Sequence, residues 1–288
     1  MKLNLKITKH PPQQFVTIAH GGGHIGDDAP GHSAAALERA IQLGYDMVEL
    51  DVVGTTDDEP VLVHGAWYGP RREGERPEVL VSFHDKTLAE ARRQRHPCTG
   101  QAVLTLAEGL AICRGYLGVM LDFKQRDRSP AFYERVAAAM DEFGLAGATL
   151  TLGDRSAAYA PHLAGRAIFV IGLADLDHLG SPGCRREAHY GFEIPTPLAD
   201  EPLLAGAKPF RPGLAEADVR KFHEAGVGVI VAINDFLYDI YPDGRRRHVE
   251  LARRDIERYK AAGVDGFQFD AAYYDLVFSG PNCDGRSR

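Results

Sequence analysis

Short apolar runs alternate along this chain with stretches of helical period. Eight runs have the length and flanking turn residues of strands: 15–19, 47–53, 117–123, 148–152, 167–171, 190–194, 226–233 and 265–269. Between them, four amphipathic segments predict helices. Segment 33–43 opens on Ser33 as N-cap and stops before Gly44. Segment 130–143 carries Pro130 at its first helical position and stops before Gly144. Segments 214–224 and 248–262 end before Gly226 and Gly263. Eight strands with intervening helices predict an α/β chain folded as a (β/α)8 TIM barrel, one domain over residues 1–288. The rival is a doubly wound open sheet. It normally uses fewer strands, and the Gly21-x-Gly23-x-x-Gly26 match after the first run leads into Asp27, Asp28, Pro30 and Gly31, not a helix start.

One segment breaks the rhythm. Residues 65–102 are rich in Arg, Glu, Gly and Pro and lack a strong period. They lie between the second and third strands and read as an elaborated loop or small insertion at the catalytic face. Composition narrows the rest. A formal charge of −7 argues against a general nucleic-acid partner. No apolar run approaches the ~18 residues of a membrane span. The first residues lack the apolar core of a signal peptide. Cys98, Cys113, Cys184 and Cys283 have no paired spacing, so the expected location is the reducing cytoplasm. The pattern carries no signal of oligomeric state.

The second strand raises a chemical question. In "MVELDVV" the carboxylates Glu49 and Asp51 interrupt an apolar run two residues apart, hence on one face. The bland reading is a salt-bridged pair in the barrel mouth. The functional reading is a divalent cation, Mg²⁺ or Ca²⁺, which would relieve the repulsion of two carboxylates through oxygen coordination. Asp122, near the end of the third strand, offers a third ligand, and Lys124 two residues on can face an anion beside the metal. His20 ends the first strand and His64 follows the second, so two imidazoles frame the cluster as an acid–base or nucleophile pair. One cation, two histidines and a lysine suit phosphoryl chemistry. Trp67, Tyr68, Arg71 and Arg72 follow His64 closely, and their mixed aromatic and basic character suits selection of a small polar, anionic substrate. His24 and His32 either extend a polar pocket or stand as solvated loop residues.

These residues resemble, in order, the motifs of the glycerophosphodiester phosphodiesterase superfamily, including its sphingomyelinase D branch. His20 stands where the family's His-Arg-Gly histidine stands. "SAAALERAIQLGYDMVELDV" is similar to the family stretch that ends in Glu-x-Asp-Val, and Thr55, Asp57, Pro60, Val61 and His64 continue its spacing. "LDFK" resembles Leu-x-Ile-Glu-x-Lys, with Asp122 for the usual Glu, and "GVDGFQFD" resembles the closing Gly-Val-Asp-Gly-Ile-x-Thr-Asp. The resemblance implies a TIM barrel and chemistry at a phosphodiester. It implies Glu49, Asp51 and Asp122 as ligands of one divalent cation, His20 and His64 as the catalytic pair, and Lys124 on phosphate. "FHDKTL" at 83–88 looks more like the family's His-Asp motif than His64-Gly65 does, but it falls 20 residues late, so His64 is preferred.

The sequence also departs from the pattern. The family Arg is Gly21, the Glu-Asn pair is Gly31-His32, the Asp after the second histidine is Gly65, and the Trp of the late strand is Val231. Arg71, Arg72 and Arg126 are candidate replacements for the guanidinium. The leading expectation is a metal-dependent phosphodiesterase cleaving a small polar phosphodiester. The alternatives are lyase-like transfer to an internal hydroxyl giving a cyclic phosphate, a non-catalytic barrel binding a phosphorylated small molecule, and metal chemistry on a non-phosphate ester or enolate.

Overall fold

A computed structural model describes residues 15–23, 30–68, 78–125, 128–152, 160–178, 190–195, 202–208 and 213–278. Eight parallel strands form the barrel wall: β1 (Val16–Ala19), β2 (Met47–Gly54), β3 (Gly118–Phe123), β4 (Thr149–Leu152), β5 (Ala167–Phe169), β6 (Tyr190–Glu193), β7 (Gly228–Ile233) and β8 (Gly266–Phe269). Hydrogen bonding runs in the order β5-β4-β3-β2-β1-β8-β7-β6. The ring closes through a parallel bridge between Ile171 and Gly191, where Ile171 N–H donates to Tyr190 O and Phe192 N–H to Ile171 O. The (β/α)8 barrel expected from the apolar runs is the observed fold, and each of the eight runs coincides with one barrel strand, β2 reaching one residue further, to Gly54.

Alternation along the strands divides the core into two layers. Val48, Leu50 and Val52 of β2 join the large cluster between strands and helices, with Leu121, Val231 and Phe267. Met47 faces the other way, into the barrel interior, with Ile18, Met120, Leu150 and Ile230. Glu49 and Asp51 share the phase of Met47, so the period-two rule turns both into the barrel above its apolar floor.

The helices follow their caps. Helix α1 (Ala34–Leu43) starts where Ser33 Oγ accepts the Ala36 N–H and stops at Gly44, whose φ of +78° suits a residue without Cβ. Two further short helices are α2 (Leu88–Arg93) and α3 (Leu106–Cys113). Each opens on a threonine capping box, Thr87 with Glu90 and Thr105 with Glu108. Helix α4 (Pro130–Glu142) is capped by Ser129, α5 is the single turn Ala160–Leu163, and α6 spans Glu216–Glu224. Helix α7 (Gly244–Ala262) begins four residues before the expected start at residue 248. Its first turn is Gly-Arg-Arg-Arg, which carries no apolar period to read. Helix α8 is Tyr274–Phe278.

The segment expected as an elaborated loop, 65–102, contains more structure than its composition suggests. Strands Ala66–Tyr68 and Val79–Ser82 pair antiparallel, and α2 follows. Together they cover a separate small core of Val53, Val61, Val63, Phe83, Ala91 and Val103.

Close packing at the barrel seam gives a testable consequence. A Cβ on Gly191 would collide with the Phe222 ring of α6. Gly191→Ala is therefore expected to destabilise the fold by about 1–3 kcal/mol through overpacking, read as a lower denaturation midpoint in urea. An unchanged midpoint would mean that the seam can open to admit a methyl group.

Candidate active site

β2 and β3 run in parallel register with Glu49 opposite Met120 and Asp51 opposite Asp122. Register partners on adjacent strands present their side chains to the same face, so Asp122 joins Asp51, and Glu49 lies one pleat below. One carboxylate oxygen from each lies within 4.8 Å of the others. Glu49 and Asp51 are 2% and 4% exposed, which removes the water that would otherwise screen their repulsion.

Each carboxylate is held differently. Glu49 Oε2 accepts the Gly21 N–H at 2.8 Å. Asp51 Oδ1 pairs with Lys124 Nζ at 2.7 Å, and its Oδ2 with His32 Nε2 at 2.8 Å. Lys124 also reaches Asp122 Oδ2 at 2.6 Å. These partners set opposite protonation tendencies. Burial, then the charge of Asp51, pushes the Glu49 carboxyl well above the usual carboxylate range. Burial also opposes ionisation of Asp51, but His32 and then Lys124 overcome it and hold Asp51 well below that range. Burial opposes the charge on Lys124, and Asp51 and Asp122 outweigh it and raise its pKa. The donor set is all oxygen, with more negative charge than Lys124 alone balances. That chemistry fits a hard divalent cation.

The two catalytic candidates reach this cluster by different routes. After β1 the chain turns through His20–Gly22, with Gly21, Gly22 and Gly23 at φ of +57°, +72° and +93°. The turn aims His20 across the mouth to Asp270, at the end of β8, with Nδ1 to Oδ1 at 2.6 Å. Burial alone would lower the imidazole pKa, but Asp270, with Glu49 and Asp51 beyond it, raises it to about 9. Asp270 Oδ2 in turn accepts the Asp235 N–H at 2.7 Å, tying the ends of β1, β7 and β8 together.

His64 returns to the mouth because the chain reverses after β2. Pro60–Leu62 pairs antiparallel with β2, and Val63 N–H donates to Asp51 O at 3.1 Å. The 15-residue step from Glu49 to His64 is the length of that reversal. Burial lowers the His64 pKa, and of its charged neighbours Asp51 and Asp122 raise it while Lys124 and His32 lower it. The net direction is down, opposite to that of His20.

The remaining sequence candidates divide. His32, weighed as a possible solvated loop residue, is 8% exposed and braces Asp51. Trp67 packs edge-on against Phe83 and His96, seating the hairpin on its small core. Tyr68 is exposed on that hairpin. Arg71, Arg72, Arg126 and His24 lie outside the described residues. Val231 is buried in the layer between strands and helices. Asp270 and Asp235 received no role from the sequence. The available signal was position: each carboxylate closes or follows an apolar strand at the catalytic end of the barrel.

A sequence model of the glycerophosphoryl diester phosphodiesterase family matches residues 24–143, the stretch containing Glu49, Asp51, His64, Asp122 and Lys124. In sequence, residues 24–143 are similar to that family. The chain is 30% identical over 118 residues to glycerophosphodiester phosphodiesterase 1 of Homo sapiens, covering 40% of this chain and 35% of that protein. It is 30% identical over 111 residues to the putative glycerophosphodiester phosphodiesterase YhdW of Bacillus subtilis, covering 28% of this chain and 45% of that protein. The matches thus span less than half of each relative. The likeness in fold is broader. A glycerophosphodiester phosphodiesterase from Agrobacterium tumefaciens superposes with a TM-score of 0.62 at 17% identity, covering 91% of this chain and 98% of that one. An Oleispira antarctica phosphodiesterase, solved in complex with the product sn-glycerol-3-phosphate, gives 0.57 at 18% identity, covering 91% of this chain and 94% of that one. The likeness in fold therefore extends over the part of the chain that the sequence model does not match.

Proposed function

We propose that this chain is a divalent-metal-dependent phosphodiesterase acting on a small polar phosphodiester. The observation that carries the reading is the Glu49–Asp51–Asp122 triad within 4.8 Å, set between His20 and His64. Glu49, Asp51 and Asp122 would hold one Mg²⁺ or Ca²⁺, which supplies charge neutralisation at the phosphoryl group. His32 braces Asp51 from behind, and the Gly21 N–H fixes Glu49. Lys124 stands beside both aspartates as the cation that meets the phosphate.

The two histidines take complementary roles because their surroundings drive their pKa values apart. His20, charged and held by Asp270, gives a proton to the departing alkoxide oxygen. His64, kept neutral, takes the proton from the attacking hydroxyl. When that hydroxyl belongs to water the product is a phosphomonoester; when it belongs to the substrate the product is a cyclic phosphate. Both need the same two proton transfers.

The deciding experiment is a panel of phosphodiesters, with glycerophosphodiesters first, assayed with and without EDTA and followed by phosphorus NMR. The expected result is EDTA-sensitive release of a phosphomonoester. Accumulation of a cyclic phosphate would assign the lyase-like course. Turnover indifferent to chelation would overturn the metal role, and absence of turnover across the panel would favour a binding barrel. Among the described residues no helix is long and apolar enough to cross a membrane. Cys113 is a buried free thiol, which suits the cytoplasmic location expected from the sequence.

A further inference from the structure

Where the superfamily pattern places a side chain directly after the second histidine, this chain has Gly65, at φ of +90°. The space is not empty. A Cβ built on Gly65 would stand 2.7 Å from Nε2 of His84. The histidine that sequence spacing set aside in favour of His64 is therefore folded back against His64's chain neighbour. Phe83 N–H donates to Gly65 O at 3.0 Å and fixes this return.

The protonation of that ring follows from its partner. Gly54 N–H donates to Gln125 Oε1 at 2.7 Å, so the Gln125 oxygen is committed as an acceptor. The amide nitrogen of Gln125 then faces His84 Nδ1 at 2.9 Å and must donate to it. An imidazole that accepts at Nδ1 carries its hydrogen at Nε2 when neutral. Among the described residues, Nε2 bonds to nothing. It is an N–H donor against Gly65, the residue that follows His64, with no acceptor among the described residues.

We propose that His84 is a specificity-determining residue: its Nε2–H receives an oxygen acceptor of the bound substrate next to His64. The acceptor is either a phosphoryl oxygen or a hydroxyl of the alcohol, and Gly65 is glycine so that the ring can occupy this place. The substrate class rests on the phosphodiesterase reading, while the donor and its tautomer rest on the hydrogen bonds alone. The role is one of binding, and it adds nothing to the proton transfers assigned to His20 and His64.

The test uses the full chain loaded with Mg²⁺. Long-range ¹H–¹⁵N correlation spectra report the tautomer of each histidine, and His84→Gln assigns the signal. The expected spectrum shows His84 as the Nε2–H form, with its Nε2 resonance moved by added phosphate ester. A shift with methyl phosphate identifies a phosphoryl oxygen as acceptor. A shift with sn-glycerol 3-phosphate and not with methyl phosphate identifies a hydroxyl. In kinetics, His84→Ala is expected to raise KM for the preferred diester about 3- to 10-fold, the loss of one neutral hydrogen bond, with kcat within about twofold. His84→Gln, whose amide nitrogen can replace Nε2, should recover most of that loss; His84→Asn should not. An Nδ1–H tautomer, no shift with either ester, or an unchanged KM in His84→Ala each overturns the proposal. If the wild-type chain turns over no diester, the function fails on that result, and the spectra still decide His84.

Discussion

Glu49→Gln is expected to raise the melting temperature of the metal-free protein while abolishing both turnover and the stabilisation that added Mg²⁺ or Ca²⁺ confers. The two effects have one origin. Glu49 is buried against Asp51 and Asp122, and burial together with the Asp51 charge disfavours its ionised form. Stability from such a raised carboxyl is lost as pH climbs and the group is forced to ionise, so at neutral pH Glu49 is a liability to the metal-free fold. An amide ends the repulsion and still accepts the Gly21 N–H through its oxygen. A gain on the order of 1 kcal/mol corresponds to about 2–4 °C in a chain of this size. Asp51→Asn, two residues away, should move the melting temperature the other way. It strips Lys124 and His32 of their shared anion, a loss of about 3 kcal/mol for a broken buried pair. Thermal melts of both variants, with EDTA and with each cation, separate the cases. A Glu49→Gln protein that melts lower without metal, or that retains the cation-dependent shift, would remove Glu49 from the ligand set.

The second large effect is expected at His20. His20→Ala should lower turnover by about 10²–10⁴-fold, the usual span for loss of a general acid, while the cation-dependent shift in melting temperature survives. Asp270→Asn should fall between wild type and His20→Ala, because it keeps the imidazole but loses the carboxylate that orients and charges it. The pH dependence supplies a readout independent of catalysis. The imidazole pKa rises from 6.5 to about 9 on folding, so the His20–Asp270 contact stabilises the fold fully below about pH 6.5 and ceases to do so as pH rises through about 9. In Asp270→Asn that dependence should weaken, and the basic limb of the activity profile should move to lower pH. Full activity in His20→Ala would sink the assignment of His20 as acid.

Metal, acid and base candidates were legible in the chain because strand periodicity is local. The spacing of Glu49 and Asp51 puts both on one face of any strand, and an apolar run around them leaves the barrel interior as their destination. Asp122 and Lys124 were legible for the same reason, at the end of the next long apolar run. The helix starts at Ser33 and Pro130 were legible because caps are chosen by near neighbours. Helices α2 and α3 were harder to see. Their capping boxes are present in the sequence, but short helices carry too few turns for a period to emerge.

What the sequence by itself determined was the eight-strand rhythm and the residue types that meet at the barrel mouth. Only the tertiary structure decided how those residues are paired, because pairing depends on contacts between distant segments. Asp270 meets His20 across 250 positions, and His32 meets Asp51 from a loop that no local pattern places. His84 shows the limit most directly. Spacing along the chain set it apart from the site, and the return of the chain through Phe83, with the missing Cβ of Gly65, brings its ring back against Gly65, the residue after His64. Periodicity tells which face a side chain takes; the closed ring of strands tells what stands opposite it.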